Sequence, residues 1–150
     1  MKFIVQRQHL ISGVQDVMKA ISSRTAIPIL TGMKIEATPN GITLTGSDSD
    51  ISIESFIPAE EDGMVNVEQI EEGSVVLQAR YFPDIVRKLP ESTVEIESDD
   101  HFNVTIKSGK AEFNLNGQDA NEYPQLPILE TDSSFEIQSD LLKNMIKQTV

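Results

Sequence analysis

The sequence predicts an α+β domain assembled from two β-α-β-β-β units, and three observations predict it. Short segments alternate apolar and polar residues; two stretches carry apolar residues at helical spacing; and the order strand, helix, three strands occurs twice within residues 1–120. Each pattern is what burial of one face imposes: side chains alternate across a strand and return every three to four residues on a helix. Two such units packed together make one domain of ordinary size.

The elements follow in order. Phe3-Ile4-Val5 reads as a strand, and Leu10, Val14, Val17, Met18 and Ile21 then mark a helical face. Met33, Ile35 and Ala37 alternate with polar residues up to the turn Pro39-Asn40-Gly41, and Ile42 and Leu44 return. Asn-Gly between alternating runs is a strong hairpin signal. The polar stretch Gly46-Ser47-Asp48-Ser49-Asp50 turns the chain again before Ile51, Ile53 and Ile57. In the second unit Val75-Val76-Leu77 is the leading strand, and a helix opens near Tyr81-Phe82-Pro83. Proline fits the first turn, where its missing N–H costs nothing. Phe82, Ile85, Val86 and Leu89 give this helix its apolar face, and Pro90 ends it. Three strands follow: Val94 and Ile96; Phe102, Val104 and Ile106 after Asp99-Asp100; and Ala111, Phe113 and Leu115 after Ser108-Gly109.

A longer repeat is superimposed on this one. Phe135-Glu136-Ile137-Gln138 with Leu142, Met145, Ile146, Thr149 and Val150 overlays Phe3-Ile4-Val5-Gln6 with Leu10, Gly13, Val14, Val17 and Met18 at a constant offset of 132 residues. That spacing is domain duplication rather than a solenoid. The expected organisation is a first domain over 1–120, a linker over 121–132, and the opening of a second domain over 133–150. The chain stops within an amphipathic helix, so a piece of a longer protein is expected.

Net charge is −12, from 12 basic and 24 acidic residues, which taken as an average argues against nucleic acid. The distribution reverses that reading. The helical stretches 7–24, 80–90 and 140–150 hold Arg7, Lys19, Arg24, Arg80, Arg87, Lys88, Lys143 and Lys147 against Asp16, Asp84 and Asp140, a net of +5. The remaining residues, with 4 cations and 21 anions, sum to −17. Helix propensity favours Lys over Asp but does not explain why Glu, an equally good helix former, is missing from all three stretches. Basic helices on an acidic domain suit a surface that meets phosphates while the remainder faces solvent.

Catalytic and metal chemistry lack their residues. There is no cysteine, and His9 and His101 have no second histidine nearby. Asp48 and Asp50 resemble the start of a calcium loop, but Ile51 and Ile53 resume a strand where later ligands are required. Glu60-Glu61-Asp62 and Glu71-Glu72 read as acidic loops, and Asp99-Asp100-His101 as a turn without a nucleophile or oxyanion loop. No cofactor and no metal are expected. Apolar runs are too short for a bilayer span or a signal peptide, which points to a cytoplasmic protein.

Several motifs, taken in order, resemble a known family. Met1-Lys2-Phe3, His9-Leu10, Arg24 with Ile27-Pro28-Ile29-Leu30, Leu44-Thr45-Gly46-Ser47-Asp48, Ala79-Arg80-Tyr81-Phe82 and Leu89-Pro90 are similar to the bacterial sliding clamp family, the beta subunit of DNA polymerase III. Ser108-Gly109-Lys110, Phe113-Asn114-Leu115 and Tyr123-Pro124-Gln125-Leu126-Pro127 continue the likeness, which covers essentially all 150 residues.

The resemblance implies the DNA clamp fold: antiparallel sheets outside, and two helices per domain lining the hole of a ring built from two chains. It implies a non-catalytic processivity factor that encircles duplex DNA without sequence preference and tethers the replicative polymerase. By position, Arg24 at the end of the first helix and Arg80 at the start of the second match arginines facing DNA. Ile85, Leu89, Phe113 and Leu115 match the head-to-tail contact of the homodimer. Glu112 stands where some members carry a basic residue, and Thr25 where many have proline. In the family the pocket for polymerase and clamp-loader peptides lies between the second and third domains, so this chain is expected to lack nearly all of it. The rival reading is an acidic protein-interaction scaffold with no DNA role.

Overall fold

A computed structural model describes residues 1–126 and 132–150. Pro127 and the rest of 127–131, part of the expected linker, lie outside the described residues. Strand β1 (Lys2–Gln6) runs without a turn into helix α1 (Arg7–Met18). A short 3₁₀ turn (Pro28–Thr31) precedes the meander β2 (Gly32–Thr38), β3 (Gly41–Ser47) and β4 (Ser52–Pro58). A small hairpin, β5 (Glu60–Glu61) and β6 (Met64–Val65), leads to β7 (Val67–Glu71). Then β8 (Gly73–Gln78), helix α2 (Phe82–Lys88) and the meander β9 (Thr93–Ser98), β10 (Asn103–Ser108) and β11 (Ala111–Asn116) repeat the plan. Helix α3 (Ser139–Thr149) closes the described chain.

The two units exchange their leading strands. One antiparallel sheet has the order β4-β3-β2-β8 and the other β11-β10-β9-β1-β7. Thus β1 pairs with β9 in register Phe3↔Ile96 and Val5↔Val94, while β8 pairs with β2 in register Met33↔Leu77 and Ile35↔Val75. Neither unit can complete its sheet alone, so the pair folds as one domain. The inner faces of both sheets and the inward faces of α1 and α2 share one continuous core that includes Phe3, Leu10, Ile35, Leu44, Leu77, Phe82, Ile96 and Ile106.

Helix α1 lies unusually close to the sheet. A Cβ at Gly46 of β3 would stand 2.7 Å from Val17 Cγ1 and 2.8 Å from the Val17 carbonyl, so only glycine admits the helix backbone there. A second, smaller cluster joins Ile29 and Leu30 to Val76, Ala120 and Tyr123. Gln118 pairs with Val76 on the open side of β8, so the chain leaves the domain along that edge. Burial pushes the Tyr123 phenol up, against a weaker downward pull from the Ser47 backbone, and its hydroxyl has no hydrogen-bond partner within 3.5 Å among the described residues.

Several expectations are corrected. The helix read over 7–24 ends at Met18, because Lys19, Ala20 and Ile21 donate to carbonyls three residues back, and the tightened turn cannot continue the helix. Glu60-Glu61 and Glu71 belong to strands rather than loops. The alternation of β7 is hidden by a bulge and by Gln69 at φ +52°, and two of its exposed residues, Glu68 and Glu71, are acidic on a solvated edge. Ile51 precedes β4 and is exposed, and Phe102 sits in the turn at φ +62°. Phe135-Glu136-Ile137-Gln138 forms no strand: it pairs with no strand among the described residues, and Phe135 is exposed. Helix α3 buries none of its residues.

Candidate nucleic-acid interface and subunit-contact face

Helices α1 and α2 lie side by side and run in opposite directions. Arg7, at the start of α1, reaches Leu89 at the end of α2. At the opposite end, Met18, Ile21, Ser22 and Ser23 share a depression of about 460 Å³ with Gln78 and Arg80, just before α2. Arg24 directly follows those serines, in a bend tightened by a 3.1 Å hydrogen bond from its own N–H to Ser22 Oγ. Arg24 is therefore not on the helix but six residues past its last turn, at the same end of the helix pair as Arg80.

The electrostatics distinguish these arginines from their neighbours. Lys19 is paired with Asp16 at 2.7 Å, and Arg87 faces Asp84 at 3.8 Å. Arg7 is committed to the Leu89 carbonyl. Among the described residues, Arg24 and Arg80 are exposed and make no ion pair, and Arg80 lies 5.5 Å from the Tyr81 ring centroid. That stacking orients the guanidinium while leaving its donors open. On the outer sheets Lys2 bridges Glu95 and Glu97 and Lys34 meets Glu36, while Lys107 and Lys110 make no ion pair among the described residues. The end of the helix pair that holds Arg24 and Arg80 thus carries two positive charges that no neighbouring carboxylate compensates among the described residues.

The residues expected at a subunit contact divide into two groups. Ile85, Phe113 and Leu115 line one depression of about 330 Å³ together with Tyr81, Asp84 and Lys88. Among the described residues strand β11 is the edge of its sheet, with no strand beyond it. Phe113 is 36% exposed, and Ile85 and Leu115 are half-buried against the core. Leu89 does not join them. It is 1% exposed and lies within the main core, because α2 ends there and turns its last apolar residue inward. A contact residue must be reachable, so Leu89 supports the face from beneath. Tyr81 lines the same depression, although no apolar period in the sequence marks it.

No cluster of three or more His, Asp and Glu residues that could hold a metal ion occurs among the described residues. Among them, no helix is long and apolar enough to cross a membrane. Asp48 and Asp99 instead cap their own turns. Asp48 Oδ1 accepts the Ile51 and Asp50 N–H groups, and these hold its carboxyl below the usual range.

Comparison with known proteins gives a consistent answer. The family described as "DNA polymerase III beta subunit, N-terminal domain" matches residues 1–127. The beta sliding clamp of Bacillus subtilis is 60% identical over the whole chain, and that of Staphylococcus epidermidis 48% over 99% of it. In each case the chain spans only 40% of the relative's length. Among solved structures, the DNA polymerase sliding clamp of Bacillus subtilis superposes with a TM-score of 0.95 at 59% identity, covering 99% of this chain and 39% of that one. The DNA polymerase III beta chain of Streptococcus pneumoniae superposes with a TM-score of 0.90 at 32% identity, covering 97% of this chain and 38% of that one. With exchanged sheets, paired helices and sequence all in agreement, the chain belongs to the DNA polymerase III beta subunit family, whose N-terminal domain it contains.

Proposed function

We propose that this chain is the first domain, and the opening of the second, of a ring-shaped processivity factor that encircles duplex DNA. Residues 1–120 form the first domain, 121–132 connect, and 133–150 begin the next copy. The observation that carries the reading is the pair of arginines, Arg24 and Arg80, gathered at one end of two antiparallel helices and free of ion pairs among the described residues, beside Lys19 and Arg87, which are paired with carboxylates. Such helices lining a hole attract phosphates weakly and without reading bases, which permits sliding. The acidic exterior repels DNA from the wrong face.

The role is non-catalytic: retention is topological, since a closed ring leaves a duplex only by opening or by reaching an end. Ile85, Phe113 and Leu115 form part of the head-to-tail contact between two chains of the longer protein. The replicative polymerase and the clamp loader engage a pocket formed largely by residues outside this chain, and the cytoplasm is the compartment this work requires. The test is to load the longer protein onto nicked circular DNA and then cut the circle. Retention on the circle and rapid loss after linearisation are expected. Equal retention on both, or steep loss from the intact circle with salt, would mark an ordinary DNA-binding surface. No association with either would favour an acidic interaction scaffold.

A further inference from the structure

Two arginines stand at matching places in the two units and are used differently. Arg7 opens α1 beside the end of α2, and Arg80 precedes α2 beside the end of α1. Arg80 keeps its donors open to solvent. Arg7 spends its own on the corner that joins α2 to β9: Nη1 donates to the Leu89 carbonyl at 2.7 Å, and the backbone N–H donates to the Ser92 carbonyl at 2.8 Å. The final carbonyls of a helix have no partner within it, and a cation there also complements the helix dipole. With only seven residues, α2 depends on this external cap more than a long helix would.

The same corner is held from the other side. Ser108 of β10 accepts the Glu91 N–H at 3.1 Å through Oγ and donates to the Thr93 carbonyl at 3.2 Å. Ser108 stands opposite Ala111 of β11. One corner therefore ties together the start of α1, the end of α2 and the β10–β11 hairpin. Ile85 lies one turn before Leu89 on α2, and Phe113 and Leu115 lie on the hairpin; these three share a depression.

We propose that Arg7 is a positioning residue for subunit docking, not a phosphate contact: by capping α2 it sets where Ile85 stands relative to Phe113 and Leu115. The proposal rests on the reading that this depression belongs to the contact between two chains. Its test uses the longer protein. Arg7→Met keeps the aliphatic stem and removes the donors, and Arg7→Lys restores a donor and the charge. Ile42→Val, in the other sheet, serves as a comparably destabilised control.

Arg7→Met should raise the dimer dissociation constant in sedimentation by about tenfold, the effect of one charged hydrogen bond. Arg7→Lys should recover part of that loss, and Ile42→Val should leave dissociation near the parent value. The slope of DNA retention against salt should not change, because no phosphate contact is removed. An unchanged dissociation constant in Arg7→Met overturns the proposal, as does a shallower salt slope or an equal effect from Ile42→Val. If the parent forms no dimer at all, the ring reading fails and the proposal falls with it. A dimeric parent whose Arg7→Met variant dissociates with the same constant defeats the proposal alone.

Discussion

Ile106 and Phe113 face each other across β10 and β11, on the same side of the sheet, yet Ile106 is fully buried and Phe113 is 36% exposed. Cross-strand partners normally share an environment. Here the core ends between them. The apolar row continues past the last strand the domain can cover, and the sheet edge beside it has unpaired backbone groups. An uncovered edge next to apolar side chains is a template for another chain.

The contrast between Phe113 and Leu89 follows from this. Leu89→Ala, which empties a buried site, should destabilise the isolated domain by about 2–5 kcal/mol. Phe113→Ala should leave its melting close to that of the parent while the longer protein dissociates into monomers at micromolar concentration. Thermal melting of the fragment and sedimentation of the longer protein check the pair. A Phe113→Ala domain that melts as low as Leu89→Ala, yet still dimerises, would contradict the assignment.

Arg24 and Arg80 should act on DNA and not on the fold. Both are exposed and make no ion pair among the described residues, so each alanine substitution should change stability by no more than about 0.5 kcal/mol. The double variant should load onto circular DNA less efficiently than the parent, with a shallower dependence of loading on salt. Loading equal to the parent would place the DNA-facing surface elsewhere.

The seat of α1 on β3 should be intolerant of volume. Gly46→Ala places a methyl 2.7 Å from Val17 Cγ1 and 2.8 Å from the Val17 carbonyl, and a backbone atom cannot rotate away. The expected cost is about 1–3 kcal/mol, typical of an overpacked site. Gly63→Ala meets nothing within 4 Å but sits at φ +76°, so any loss there reports backbone strain alone. Chemical denaturation of both variants separates the two causes.

Asp99 should make stability depend on acid. Its carboxylate accepts the Asn103 side-chain amide at 2.9 Å, the Asn103 N–H at 2.9 Å and the His101 N–H at 2.8 Å. The Asn103 side chain, then its backbone N–H, hold the carboxyl below its ordinary range. A folded pKa lower than the unfolded one means the stabilisation is complete above about pH 4 and disappears as pH falls through the folded value. Asp99→Ala should therefore melt below the parent at neutral pH, and the gap should close in acid. A gap that stays constant down to pH ~2 would mean that ionisation of Asp99 contributes nothing.

What the sequence determined by itself was local. Alternation at Met33, Ile35 and Ala37, or at Val104 and Ile106, follows from one buried face, and a single segment records it. The charge on the helical stretches was equally legible, because composition needs no partner. Only the tertiary structure decided which segment covers which. It exchanged β1 and β8 between the sheets, drew Leu89 inward, and ended α1 before Arg24. It also committed Arg7 to a carbonyl 82 positions away while leaving Arg80 open. Strand pairing and capping join residues far apart in the chain, and their energies depend on the neighbour that arrives. A local period shows that a face must be covered, and the folded neighbours determine by what.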